Sequence, residues 1–338
     1  MHSAALSDVL KVITYVIACF LLAALITPPL FEMGKGFAHV TLTRDDPGKL
    51  TWLANKADKA GFDTYFKRAL LISAVVGLYP LFRSLRLARM HCDPALPSLR
   101  DVDSSAPCRP FQSKRKGTLQ AFLGFLLAAG FFVLLSWILL KLGWFEWRQH
   151  PPFEKLAGLL GYALFSALVV AILEEALFRG ALLGIFLRAF RPSVAIISLS
   201  LLFAATHFLS PAPDVVILNP RSAGAGFEML RQIGLKFLQP ELMIHSFISL
   251  FLVGIILGVA RYKTASLWLP VGLHAGWVFS VKVFSRLAVR KSDFPETYDL
   301  YMGKKMTEGL LPTAIIILTG IVLVISLKVL EMRKESDS

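Results

Sequence analysis

Long stretches of apolar residues alternate with short polar segments along most of the chain. A helix needs about 20 apolar residues to cross a bilayer. The stretches that reach or approach this length are 9–31, 65–82, 118–140, 157–188, 193–209, 242–260, 265–283 and 312–330. This pattern predicts an all-α, polytopic membrane protein with about eight transmembrane helices.

Two of these stretches are irregular. Only Ala69 to Phe82 of the second stretch lacks charge, and Pro80 interrupts it. The fourth is too long for one upright crossing. We expect it to tilt or to begin as an interfacial segment.

The positive charge of the chain lies between the apolar stretches. The chain has 338 residues, of which 55% are hydrophobic, and a formal net charge of +13. If the crossings alternate in direction, four basic clusters fall on one side: 83–116, 188–191, 261–263 and 328–334. Because cytoplasmic loops are rich in Lys and Arg, we expect both termini in the cytoplasm and the protein in the inner (plasma) membrane. Such loops favour membrane lipid, not nucleic acid, as the partner.

The spacing of the apolar stretches divides the chain into four parts. They are an N-terminal pair of transmembrane helices (1–83), a basic cytoplasmic linker (84–117), a core with shorter loops (118–285), and a loop with a C-terminal transmembrane helix (286–338). The linker contains Cys92 and Cys108. We predict plain thiols there, because a cytosolic loop is a reducing environment.

Two connections within the core have their own patterns. The sequence GWFEWRQHPPF (143–153) is typical of an interfacial aromatic belt. The sequence FEMLRQIGLKFL (227–238) has the periodicity of an amphipathic helix. That helix either lies on the membrane surface or forms a lid or substrate gate, and the pattern does not decide between the two.

The first, second, third and eighth crossings have no ionisable residue in their central parts, whereas the fourth to the seventh do. These ionisable residues are Glu174, Glu175, Arg179, His207, His245 and His274. Each charge at the centre of a membrane helix opposes insertion by roughly 2.5–3.5 kcal/mol, whereas each Leu, Ile, Phe or Val favours it by about 0.3–0.6 kcal/mol. These residues must therefore face protein or a wet cavity and have partners. They serve either to hold helices together or to form a functional site.

Spacing supplies a partner for one of the two glutamates. Glu175 and Arg179 are four residues apart and can pair along one helix face. Glu174 lies about 100° round the helix and can meet neighbouring helices. His274 lies on roughly the opposite face from Gly272 and Gly276, which predict a close helix contact, and Gly254 and Gly258 predict a second one.

The combination of a carboxylate with two imidazoles suits hydrolysis. A carboxylate in a partly dry cavity is a competent base, and imidazoles either bind a metal that activates water or donate to a developing oxyanion. His245 lies at the start of its crossing, where a packing role is favoured. The spacing does not distinguish the metal-dependent from the metal-independent chemistry.

The order of these motifs resembles a known family, the CAAX prenyl protease type II and bacteriocin-processing group of intramembrane proteases (CPBP). The family is recognised by E-E-x-x-x-R, then F-x-x-x-H, then a late H-x-x-x-N/D. Here EEALFR (174–179) and FAATH (203–207) match the first two, and the block 251–278 is similar to the third. The position four after His274 is Val278, where the family has Asn or Asp. The resemblance covers roughly 118–285.

The resemblance implies an intramembrane endopeptidase that cleaves a membrane-associated or prenylated-like peptide or protein. It implies that Glu174 is the general base, that His207 and His274 complete the site, and that Glu175 and Arg179 form a supporting ion pair. It leaves open a divalent metal such as Zn, because family members are described both with and without one.

Two other functions stay open at this point. Val278 favours a non-catalytic scaffold or immunity protein of the same family. A proton-coupled transporter would use the ionisable residues as a relay, although the sequence shows no internal repeat of the kind many transporters have.

Overall fold

The computed structural model describes residues 2–44, 48–84, 114–148, 153–209, 215–238, 244–292, 294–303 and 306–336. In chain order the α-helices are α1 (His2–Leu42), α2 (Thr51–Lys59), α3 (Phe62–Ser84), α4 (Lys114–Lys141), α5 (Phe153–Glu175), α6 (Leu183–Ala189), α7 (Pro192–Thr206), α8 (Ala225–Phe237), α9 (Ile244–Thr264), α10 (Trp268–Leu287) and α11 (Leu310–Ser336). A π-helical segment, Ala176–Leu182, joins α5 to α6. The two strands are β1 (Phe145–Trp147) and β2 (Ala288–Arg290).

Every predicted crossing contains a helix, but not every helix has the length and composition of a membrane span. Among the described residues, five do: Ser7–Leu42, Lys116–Lys141, Lys155–Ala189, Ile244–Thr264 and Leu310–Met332. The helix α7 is apolar but shorter, and α3 and α10 carry charged residues within their length. An all-α membrane protein is therefore the observed class, and the number of eight crossings stays a prediction.

The described residues form two compact units. The first comprises 1–90 and 205–243, and the second comprises 91–204 and 244–338. The predicted linker 84–117 lies mostly outside the described residues, together with Cys92 and Cys108. The four predicted parts of the chain stay a prediction.

In the first unit, α1 packs against α2, α3 and α8. The core between α1, α3 and α8 includes Ala24, Phe66, Met229 and Ile233. A β-carbon at Gly226 of α8 would overlap the backbone of Ala24. The amphipathic helix predicted at 227–238 therefore exists. Its Met229 and Ile233 are buried in protein, whereas Phe227, Leu235 and Phe237 are exposed. Both predicted roles, a helix on the membrane surface and a lid, stay predictions.

The opposite side of α8 carries a polar cluster. Glu228 accepts hydrogen bonds from Arg231 at 2.7 and 2.8 Å and from Gln232 at 2.7 Å. These hydrogen bonds, with the charge of Arg231, lower the pKa of Glu228 to about 2. Arg231 is exposed, whereas Glu228 and Gln232 are half-buried.

In the second unit, α10 packs against α4, α5 and α9. A β-carbon at Gly272 would overlap the carbonyl group of Ala121, and one at Gly276 would lie 2.6 Å from the Phe125 carbonyl oxygen. These two glycines thus let α10 approach α4 closely, as the sequence predicted. Gly254 and Gly258 of α9 make the same kind of contact with Ser200 and Ile196 of α7.

A two-stranded antiparallel ribbon joins the end of α4 to the end of α10. Phe145 pairs with Arg290 and Trp147 with Ala288. Phe145 is buried against Phe284, and Trp144 stacks on Tyr298 at 5.4 Å between ring centroids. These two aromatic residues pack within the protein, whereas Trp147 is exposed as an aromatic belt residue would be.

Candidate active site

The two glutamates end helix α5, and the helix changes form immediately after them. Glu175 is the last residue of α5, and the π-helical segment that follows carries Arg179. Segments of π-helix are rare and occur frequently at functional sites. The sequence pattern gave no sign of this change, since 157–188 reads as one continuous apolar helix.

Glu175 and Arg179 form the predicted ion pair. Arg179 Nη1 donates to Glu175 Oε1 at 3.0 Å, and both side chains are buried. A buried ion pair is stable only if other hydrogen bonds satisfy its remaining atoms. Arg179 Nη2 donates to the Gly254 carbonyl oxygen on α9 at 3.1 Å. Glu175 Oε2 and Arg179 Nε are buried and have no hydrogen-bond partner among the described residues.

Aromatic rings complete the surroundings of Arg179. The guanidinium carbon lies 4.5 Å from the centre of the Phe203 ring and 5.7 Å from that of Phe178. The two rings meet edge to face at 5.2 Å. A desolvated guanidinium over an aromatic face gains about 2 kcal/mol. The aromatic residue of the F-x-x-x-H motif therefore supports the ion pair directly.

His274 connects α10 to both glutamates. Its Nδ1 lies 2.8 Å from Glu175 Oε1, and its Nε2 lies 3.8 Å from Glu174 Oε2. An ionised carboxylate only accepts hydrogen bonds, so Nδ1 is the donor to Glu175. In the neutral imidazole this leaves the Nε2 lone pair on the side of Glu174.

The two adjacent glutamates differ in their exposure. The side chain of Glu175 is fully buried, whereas that of Glu174 is 32% exposed. The first is held between a guanidinium and an imidazole. The second is partly exposed, although its Oε2 atom, which faces His274, is itself buried. Of the two carboxylates, Glu174 is thus the one with an exposed part.

The structure brings four of the five predicted site residues together. These four, Glu174, Glu175, Arg179 and His274, all belong to the second unit. His207 follows the last residue of α7 and belongs to the first unit, so its approach to Glu174 stays a prediction. His245 is half-buried and is the second residue of α9, near the end of its crossing as expected.

The sequence did not identify several partners of this cluster. The Gly254 carbonyl group is one, and Arg261 is another, because its Nε lies 3.4 Å from the Arg179 carbonyl oxygen. Both residues are far from the EEALFR motif in the sequence, so helical periodicity could not predict their contacts with Arg179. Gly254 was predicted only as part of a packing seam.

The described residues do not form a complete zinc site. No three His, Cys, Asp or Glu groups among them lie close enough to share one metal ion. Catalytic zinc has three protein ligands, and among the described residues of the second unit Glu174 and His274 Nε2 supply two groups that face each other.

The geometry so far defines a class, a helical membrane protein with a buried acid–base cluster. Residues 156–280 match the family model described as type II CAAX prenyl endopeptidase, Rce1-like, so this part of the chain is similar to that family. The family is one of membrane proteases, and the matched segment contains all three motifs. Searches of curated proteins and of solved structures gave no match.

Proposed function

We propose that this chain is an intramembrane endopeptidase in which Glu174 activates the attacking water. The observation that carries this proposal is the contrast between the glutamates: Glu175 is buried and doubly hydrogen-bonded, whereas the partly exposed Glu174 carboxylate lies 3.8 Å from His274 Nε2. General bases act on a proton within hydrogen-bond reach. A water about 2.8 Å from both atoms fits this separation.

The reaction then follows from the positions of these groups. The water donates a hydrogen bond to Glu174, its oxygen attacks the scissile carbonyl carbon, and its proton passes to the carboxylate. The peptide C–N bond breaks as the proton is delivered to the leaving nitrogen, which gives a carboxylate and an amine. His274 assists from the other side of the water, and by the family resemblance His207 completes the site.

Glu175 and Arg179 act by positioning. Glu175 accepts from Nδ1 of His274 and so fixes which imidazole nitrogen faces Glu174. Arg179 holds Glu175 in place, and is itself held by its contacts with α9 and Phe203. Neither residue needs to touch the substrate.

Val278 is the feature that supports a non-catalytic scaffold instead. It lies one turn after His274 on α10 and is half-buried. A valine offers no hydrogen bond where the family has Asn or Asp. The assay below decides between the two functions, because a scaffold would show no cleavage that depends on Glu174.

The test compares Glu174→Gln and His207→Ala with the wild-type protein in proteoliposomes. The substrate is a membrane-associated peptide with a fluorophore and a quencher on either side of the cleavage site. Loss of a general base lowers the rate by roughly 10²–10⁴-fold, so we expect kcat to fall by about that factor in Glu174→Gln. Glu331→Gln is the matched control, because that carboxylate pairs with Lys263 in exposed positions on α11 and α9.

Undiminished cleavage in both Glu174→Gln and His207→Ala would reject the proposal. Metal analysis of the purified protein and cleavage with and without a chelator address the divalent ion separately. Activity that survives the chelator would support the metal-independent chemistry.

A further inference from the structure

Part of the segment that matches the family packs on helices outside the match. The match covers residues 156–280, whereas α1 and α3 lie before it. Residues 205–243, which separate α7 from α9 in the sequence, nevertheless form one compact unit with residues 1–90. This segment contains α8 and, near its beginning, His207. The N-terminal helices therefore pack with the part of the chain that carries one of the predicted site residues.

Helix α8 contacts α1 through its backbone as well as through side chains. A β-carbon at Gly226 would overlap the carbonyl group of Ala24 on α1. Met229 and Ile233 follow Gly226 by three and seven residues and so share its helix face. Both are buried in the same core as Phe66 of α3. Because no side-chain rotation relieves a contact between backbones, the position of α8 depends on that of α1.

The far end of α8 contacts the residue next to His207. Lys236 follows Ile233 by three residues, so it continues the buried face of the helix. Its Nζ lies 5.7 Å from the centre of the Phe208 ring, within the range of a cation–π contact. Phe208 is buried, and its backbone N–H donates to the Ala205 carbonyl oxygen at 3.0 Å. The turn that follows α7 is thus held against the end of α8.

We propose that α1 and α3 position His207 for the reaction, through α8 and Phe208. This inference rests on the proposed function, in which His207 completes the site. The contacts begin where Ala24 meets Gly226 and continue along α8. They end where Lys236 meets Phe208, beside His207. The helices before residue 90 are accordingly required for the chemical step and do more than anchor the chain in the membrane.

The first test changes the contact between α1 and α8. We expect Gly226→Ala to lower kcat by roughly 10- to 100-fold and to leave KM unchanged, because a small displacement of His207 slows the chemical step without changing substrate binding. Gly234→Ala is the matched control on the same helix, since a β-carbon there would meet nothing within 4 Å. Equal kcat in the two variants, or a loss that appears only in KM, would overturn the proposal.

The second test changes the contact between α8 and Phe208. Lys236→Met removes the charge beside the ring and should lower kcat by about 2- to 5-fold, which corresponds to one cation–π contact. Lys236→Arg keeps the charge and should retain the rate. Lys56→Met is the control, because Lys56 Nζ lies 5.5 Å from the centre of the Trp52 ring on α2, in the same unit. An equal loss in the Met and Arg variants of Lys236 would contradict the proposed role of this contact.

A cross-linking measurement separates this inference from the proposed function and needs no activity. The three native cysteines are replaced by alanine, and Glu174→Cys and His207→Cys are treated together with a short bifunctional thiol reagent. We expect an efficient cross-link, most of which is lost when Gly226→Ala is added.

The two possible failures of this measurement differ. Without Gly226→Ala, absence of the cross-link would show that His207 does not approach Glu174, and the proposed function would fail. An undiminished cross-link in the presence of Gly226→Ala would leave the proposed function standing and would reject the positioning role of the N-terminal helices.

Discussion

Two neighbouring residues of the same type have opposite environments in this protein. Glu175 Oε1 accepts from both Arg179 and His274, and its side chain is fully buried. Glu174 is one residue away and partly exposed. A single step of about 100° around the helix thus separates a fully buried carboxylate from a partly exposed one.

This contrast predicts different consequences for stability. Removing one partner of a buried ion pair costs roughly 3–5 kcal/mol, because the other charge is left uncompensated. We therefore expect Glu175→Ala and Arg179→Ala to lower the melting temperature in detergent strongly. Glu174→Ala is the control and should melt close to the wild type.

The pair also predicts coupling between its members. The double variant Glu175→Gln with Arg179→Met should be less destabilised than the sum of the two single changes, because no lone charge remains buried. Equal melting temperatures for the Glu174 and Glu175 variants would contradict the assigned roles.

At the level of helices, a close approach of the α10 backbone to the α4 backbone influences the position of His274. A β-carbon at Gly272 would overlap the Ala121 carbonyl group. His274 lies two residues later on the same helix, so the approach of α10 to α4 influences where its imidazole stands. This contact includes backbone atoms that cannot move aside independently.

Gly272→Ala should accordingly destabilise the second unit. Overpacking costs typically 1–3 kcal/mol, and we expect a loss of that order together with reduced cleavage. Gly130→Ala on α4 is the matched control, since a β-carbon there would meet nothing within 4 Å and alanine favours a helix. Melting curves and kcat of both variants provide the measurement. A Gly272→Ala protein as stable as Gly130→Ala would show that the contact is looser than described.

For the molecule as a whole, the predicted orientation can be tested with its own cysteines. We propose that both termini and the basic linker lie in the cytoplasm, because positive loops stay inside. Cys92 and Cys108 belong to that linker, whereas Cys19 is buried in α1. We expect a membrane-impermeant thiol reagent to label intact cells poorly and permeabilised cells well.

A variant with both linker cysteines replaced by serine is the control for this labelling. It should show little labelling under either condition, because the thiol of Cys19 is buried and lies 3.6 Å from the Ser73 carbonyl oxygen. Strong labelling of the wild type in intact cells would place the linker outside and reverse the orientation.

Relations within one helix could be derived from the sequence. The Glu175–Arg179 pair and the close contacts at Gly272, Gly276, Gly254 and Gly258 follow from regular spacing, and the structure confirms them. Lys282 lies at the end of the predicted crossing 265–283, outside its central part, so the sequence pattern did not distinguish it. The order of the three motifs was sufficient to indicate the family that residues 156–280 match.

Relations between helices required the tertiary structure. The contact from His274 to Glu175 joins residues 99 positions apart, that from Arg179 to Gly254 spans 75, and that from Lys282 to Ser166 spans 116. The burial of Met229 and Ile233 of α8 against α1 and α3 is of the same kind. Helical spacing determines which residues share a face, because the backbone repeats regularly. Which faces meet, and in what register, depends on how all the helices pack together, and no local pattern contains that information.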